Sequence, residues 1–118
     1  MMTLKKRSDF LRVRNGRRWA GPAFVIEAKP RPGGGEPADA RFGFTVTRQC
    51  GTAVIRNRIR RRLRAAVAAL ASQHARPDYD YVLIARRAAL DRPFAALEAE
   101  LVAGFDRVHA QSRPRRKA

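Results

Sequence analysis

Apolar residues recur at spacings of three and four through Ile55, Ile59, Leu63, Ala66, Val67 and Leu70. At 100° per residue they form one stripe of a helix. Gly51 breaks the chain ahead of this stripe, and Thr52 is placed to cap it. The pattern fades through 65–73 and ends near His74, before Pro77. Phe94, Leu97, Leu101, Phe105 and Val108 form a second helical stripe, announced by Asp91 and Pro93 and reaching about Ala110. Gly104 weakens this helix by about 1 kcal/mol relative to alanine and permits a close packing approach. A shorter helix of about two turns is framed by Ser8 and Gly16, with Phe10 and Val13 on one side and Leu11 beside them.

Between the helices the period changes to two. In 23–29, Phe24, Ile26 and Ala28 share one face of a predicted strand, and Val25, Glu27 and Lys29 share the other. In 41–47, Phe42, Phe44 and Val46 point inward, while Gly43, Thr45 and Thr47 form a small, hydroxylated outer face. The stretch 78–86 is almost wholly apolar, as in a strand covered on both faces. Three prolines and three consecutive glycines in 30–39 predict a long, mobile hairpin loop. Arg17, Arg18 and Trp19 fall in a loop, with a short extra strand possible near 19–22. The order is helix, strand, strand, helix, strand, helix. This is an α+β fold, a small sheet packed with helices, in one domain of 118 residues. A crossover from strand 41–47 through the helix to strand 79–86 is ordinarily right-handed.

Charge changes the picture. Lysine and arginine total 26 against 10 acidic residues, for a formal charge of +16. Nucleic acid is the first partner this implies and an anionic membrane the second. Arg56, Arg58, Arg60, Arg61, Arg62 and Arg64 crowd the start of the first stripe's helix, and no acidic residue occurs between Ala40 and Pro77. Like-charge pairs four apart cost about 0.2–0.5 kcal/mol each in an isolated helix, and the cluster lies near the positive end of the helix dipole. A polyanion that supplies the missing charge accounts for it better than solvent does. Guanidinium forks suit phosphates and base stacking in a way ammonium groups do not. Phe10, three residues after Arg7 and four before Arg14, adds the basic-aromatic mix of single-stranded RNA sites, although a core role for the ring is the plainer reading. The arm 1–7 and the tail 111–118 are basic, and the tail is expected to be disordered until it meets phosphate.

Other chemistry is poorly represented. Cys50 is the only cysteine, so no intramolecular disulfide or cysteine-based zinc site follows, and no base accompanies it as a nucleophile. His74 and His109 are too few and too far apart for a metal site. There are no paired carboxylates and no P-loop. No apolar run approaches the ~20 residues of a membrane span, and the N-terminus lacks the apolar segment of a signal peptide. A cytoplasmic location is expected.

Phe42-Gly43-Phe44-Thr45-Val46, Gly51, Ala53-Val54 and Arg56 to Arg64 together resemble the signature of the bacterial ribonuclease P protein component family. The opening Leu4 to Arg7 with Asp9-Phe10, and the strand end Tyr81 to Arg87, fit the same family, so the resemblance runs from Leu4 to about Val108. It implies a ribosomal-protein-S5-domain-2-like sandwich with a left-handed crossover. It implies a partner RNA that carries the catalysis, hydrolysing the bond between the 5′ leader and mature tRNA with RNA-bound Mg²⁺, while the protein contributes no catalytic group and no metal ligand. It places Arg56, Arg58, Arg61 and Arg62, with Arg17 and Arg18, against the catalytic RNA. It places Phe10, Arg14, Thr45, Asn57, Arg60 and Arg64 at a leader cleft between the central helix and the sheet. Position 14 is often aromatic in the family, so Arg14 removes a stacking ring there. A structural ribosomal RNA-binding protein shares the same charge and fold class and is the alternative. A protein-only nuclease is the third reading.

Overall fold

The structure is a computed structural model and describes residues 2–31 and 39–111. Most of the loop expected at 30–39 and nearly all of the tail expected at 111–118 lie outside these residues. The chain forms β1 (Met2–Thr3), α1 (Arg7–Val13), β2 (Arg17–Ala20), β3 (Phe24–Pro30), β4 (Arg41–Thr45), α2 (Ala53–His74), β5 (Tyr79–Ala85) and α3 (Phe94–Gln111), with 3-10 turns at Arg48–Cys50 and Arg87–Leu90. The strands make one sheet in the order β1-β4-β5-β3-β2. β4 and β5 are parallel, joined across α2, whereas β3 runs antiparallel to both β5 and β2.

This order corrects the expected hairpin. β3 and β4 are consecutive in sequence but do not pair, because β5 lies between them. Central placement explains why β5 is apolar on both faces. The basic N-terminal arm joins the sheet. Met2 and Thr3 pair with Arg41 and Phe42, and Leu4 is buried. β2 occupies 17–20 rather than 19–22, and α1 begins two residues ahead of a Ser8 cap, from an uncapped Lys6.

Helices cover both faces of the sheet. Phe24, Ile26, Phe42, Tyr81 and Leu83 pack on one face against Ile59, Leu63 and Val67 of α2 and Leu97, Leu101 and Phe105 of α3. Gly104 lies directly over Ile26 and Trp19, so the close approach is used. Val13, Val82 and Leu4 form a smaller cluster under α1 on the other face, with Phe10 and Ile84 against it. Gly51 turns the chain into α2 at φ 138°, a conformation that favours glycine, and Thr52 accepts a hydrogen bond from the Ile55 amide. Cys50 is buried, its thiol within reach of the Ala85 carbonyl.

Two buried polar groups hold the ends of the sheet. Glu100 of α3 accepts from the Ala23 amide and from Arg92. The Tyr81 hydroxyl accepts from the Arg76 amide and lies 2.7 Å from His109 Nε2. Burial raises the Tyr81 pKa and lowers that of His109 to about 4 from its ordinary 6.5, with Arg76 adding to the histidine shift. An unfolded chain takes this proton near 6.5, whereas the folded chain resists it until about 4. Stability fully present above pH 6.5 is therefore lost as pH falls toward 4. Thermal midpoints measured across that window should decline less in His109→Gln than in the parent. Parallel curves would remove His109 as the cause.

Candidate nucleic-acid interface

α2 carries the arginine cluster on the side turned from the core. Ile59 and Leu63 are buried, while Asn57, Arg58, Arg61 and Arg64 are exposed and Arg56, Arg60 and Arg62 half-buried. Among the described residues no ion pair involves an α2 arginine, although six pairs form elsewhere. The individual side chains nevertheless differ. Arg56 Nε donates to the Gly51 carbonyl at 3.3 Å, tying the first turn to the preceding loop. Arg60 donates to the Asn57 Oδ1 at 3.1 Å. The Arg64 guanidinium lies 5.7 Å from the centre of the Phe44 ring, within cation–π range. Arg62 is engaged inward. It donates to the carbonyls of Ala89, Leu90 and Arg92, so it anchors the turn ahead of α3. That differs from its expected place on an RNA surface, because the turn brings three carbonyls under the guanidinium. Arg58 and Arg61 keep their donors turned to solvent.

Where the cleft was expected between the central helix and the sheet, Ile59, Leu63, Ala66 and Val67 are packed with core, and a cavity of about 360 Å³ lies farther along, beside Phe42, Ala68, Ala71 and Ala75. A larger groove, about 590 Å³, lies on the opposite face, beside α1. Lys5, Arg7, Phe10, Leu11 and Arg14 form one wall, and Glu27, Thr45, Thr47, Val82 and Ile84 of the sheet form the floor and far side. The Phe10 ring can lie on the sheet because Gly43 has no side chain. A Cβ there would come 2.5 Å from the ring. The six expected leader residues therefore divide. Phe10, Arg14 and Thr45 line the groove, whereas Asn57, Arg60 and Arg64 stand on α2 over the other face. Thr47, at the groove's edge, leads through the 48–50 turn to the start of α2.

Arg17 and Arg18 do not join the α2 cluster. They lie on β2, the edge strand farthest from β1 and β4, and alternate to opposite faces. Arg18 pairs with the buried Glu27 at 2.8 Å.

Sequence reasoning missed two acidic sites. Asp80 is fully buried on the α1 face and takes hydrogen bonds from three arginines. Arg41 grips it with both Nε and Nη2, at 2.8 and 2.7 Å. Arg31 donates at 3.3 Å, and Arg12 closes the set from α1. These bonds hold the Arg41 pKa above its usual value. The second site is Glu27, only 2% exposed on the groove floor. A lone acid in a strand carries no sequence mark of such a role.

A family model described as Ribonuclease P matches residues 1–109. The chain belongs to this family. The ribonuclease P protein component of Paramagnetospirillum magneticum is 49% identical over 109 residues, covering 91% of this chain and 82% of that one. The protein of the same name from Brucella suis is 45% identical over 106 residues, covering 86% and 75%. The solved RNase P protein of Staphylococcus aureus superposes with a TM-score of 0.72 at 26% identity, over 96% of both chains. That of Thermotoga maritima shares the fold, with a TM-score of 0.75 at 22% identity, over 92% of this chain and 98% of its own. The chain is thus a protein subunit of the ribonuclease P ribonucleoprotein, an endoribonuclease of tRNA 5′ processing, and its partner is RNA. No helix among the described residues is long and apolar enough to cross a membrane.

Proposed function

We propose that the chain works as a single RNA-binding unit in the cytoplasm. It binds the ribonuclease P catalytic RNA through α2 and holds the 5′ leader of precursor tRNA in the groove beside α1. The observation that supports this most strongly is one molecule carrying both an arginine helix without acidic partners among the described residues and a separate groove with an aromatic ring in a basic wall. The first suits a folded RNA backbone, and the second suits a single strand, whose bases stack while its phosphates follow the cations. Arg58 and Arg61, with their donors free to reach phosphate, carry most of the catalytic-RNA contact, and Arg56 adds to it from the first turn. Arg62 acts by holding the turn beside the helix, and Arg17 and Arg18 are peripheral to this surface. The leader stacks on Phe10, passes Arg14, Thr45 and Thr47, and reaches Asn57, Arg60 and Arg64 at the start of α2. Mg²⁺, bound mainly by RNA and not by this chain, would supply charge neutralisation and water activation for hydrolysis. The arginines reduce repulsion between two RNAs brought together, which also favours cation uptake by the RNA.

With the cognate RNA, the protein should lower the Mg²⁺ concentration needed for cleavage of precursor tRNA. Phe10→Ala should weaken precursor binding by about 1–3 kcal/mol, the range for one base–aromatic stack, and leave mature tRNA unchanged. Equal losses for precursor and mature tRNA would remove the leader from the groove. Arg14→Ala, at an exposed position, should show the same split with a smaller amplitude.

A further inference from the structure

A cavity of about 340 Å³ opens between the last turns of α2 and α3, a volume at the lower end for small-molecule sites. It lies roughly 24 Å along α2 from Arg58, so it belongs neither to the arginine cluster nor to the groove beside α1. Its floor is aromatic. Phe105 is buried, and the His74 ring lies within 6° of parallel to it at 6.3 Å. His109 is buried beside them, edge-on to Tyr79 at 4.8 Å. The Tyr81 hydroxyl accepts from the Arg76 amide, so its own proton goes to His109 Nε2 and fixes the imidazole. The rim is polar. Arg76 stands over Tyr79, its guanidinium 5.8 Å from the ring centre, and Gln73 and Asp106 complete the edge. Arg76 and Asp106 are both exposed, and among the described residues neither forms an ion pair.

We propose that this cavity binds a ribonucleotide unit, with its base on the rings of the floor, its phosphate at Arg76 and its ribose hydroxyls at Asp106. The two rim charges line one cavity without matching each other, and a ligand that carries an anion and hydroxyl donors satisfies both. The helix ends set its orientation. Two helix C-termini meet here, and their carbonyls disfavour a phosphate inside the cavity. They favour hydroxyl and amino donors, so the phosphate stays outward on the guanidinium fork. Aromatic faces accept every base, so the floor is tolerant of sequence. Asp106 reads the sugar instead, because the 2′-hydroxyl is the donor that separates RNA from DNA. A metal ion is the weaker occupant, because among the described residues no group of three histidine, cysteine, aspartate or glutamate side chains converges. An RNA strand and a free nucleotide present the same chemistry to this site.

The test titrates the full-length protein with AMP, dAMP and inorganic phosphate, and follows by NMR the ring protons of the chain's two histidines, both of which line the cavity. AMP should shift both histidines and bind about tenfold more tightly than phosphate, within the range for one base–aromatic stack. The deoxy form should bind about fivefold more weakly than AMP, the worth of one hydrogen bond. Asp106→Ala should abolish that difference. Arg76→Ala should lower AMP affinity about tenfold, and it keeps the backbone bond to Tyr81. Two further arms separate the sources. Loss of AMP binding in the complex with the cognate RNA, with a comparable drop in RNA affinity in Arg76→Ala, assigns the cavity to a nucleotide of that RNA. Retained AMP binding in the complex assigns it to the free nucleotide. AMP that binds no more tightly than phosphate, leaves both histidines unmoved, or binds Arg76→Ala equally well would overturn the proposal. None of these outcomes depends on the path of the leader.

Discussion

Asp80→Ala should cost the fold about 3–4 kcal/mol, roughly 10–15 °C in thermal midpoint for a chain of this size. The carboxylate is fully buried, and all its acceptor sites are taken by Arg12, Arg31 and Arg41. These come from α1, the end of β3 and β4, so one side chain ties three segments to the central strand. Removing it leaves three guanidinium groups facing one another, with Asp9 3.7 Å from Arg41. The estimate sits toward the lower end for a broken buried pair because the arginines keep 17–28% of their side-chain surface in water. Asp80→Asn keeps the shape without the charge and should lie close to alanine. Arg12→Met or Arg31→Met, which remove one of several partners, should each cost about 1 kcal/mol. Denaturant unfolding of the four variants checks this order. An Asp80→Ala loss no larger than that of a single arginine would mean that the cluster is held together by its backbone contacts instead.

The second large effect concerns binding and leaves the fold alone. Changing both Arg58 and Arg61 to alanine should reduce affinity for the cognate catalytic RNA by about 3 kcal/mol, roughly a hundredfold at low salt. The slope of log K against log salt should fall by about 1.5–2, as two phosphate contacts disappear. The thermal midpoint of the free protein should hold or rise, since both side chains are exposed, neither has an acidic partner among the described residues, and removing Arg58 relieves its like-charge pairing with Arg62. Affinity that falls without a change in slope would place these residues away from phosphate.

The elements with a clean period were legible from the sequence. α2 starts from the expected cap at Thr52, α3 spans the expected stripe, and β5 is buried on both faces as its unbroken apolar run required. Strand pairing was not legible, because hydrophobic alternation fixes which face a side chain takes and leaves the neighbouring strand open. That is how β3 and β4 could be expected to pair when β5 separates them. The arginines posed a related difficulty. Arg58 and Arg62 are one turn apart in the same basic run, yet one faces water and the other holds three carbonyls that only the tertiary structure brings together. Arg12, Arg31 and Arg41 likewise look like surface charge until Asp80 is placed beneath them. The groove was expected between α2 and the sheet because the family resemblance implied it. The space beneath the first half of that helix is occupied by Ile59 and Leu63, and the larger opening lies where Gly43 lets a ring rest on the sheet.

The insertion of β5 between β3 and β4 sets the timetable of assembly. β3 can pair early with β2 and β4 with β1, but neither can find its inner neighbour until residues 79–85 have been synthesised, some two-thirds of the way along the chain. By then every arginine of α2 has already been synthesised. Long-range pairing of this kind slows structure formation, so the nascent polypeptide passes a substantial interval as an unshielded polycation beside ribosomal and messenger RNA.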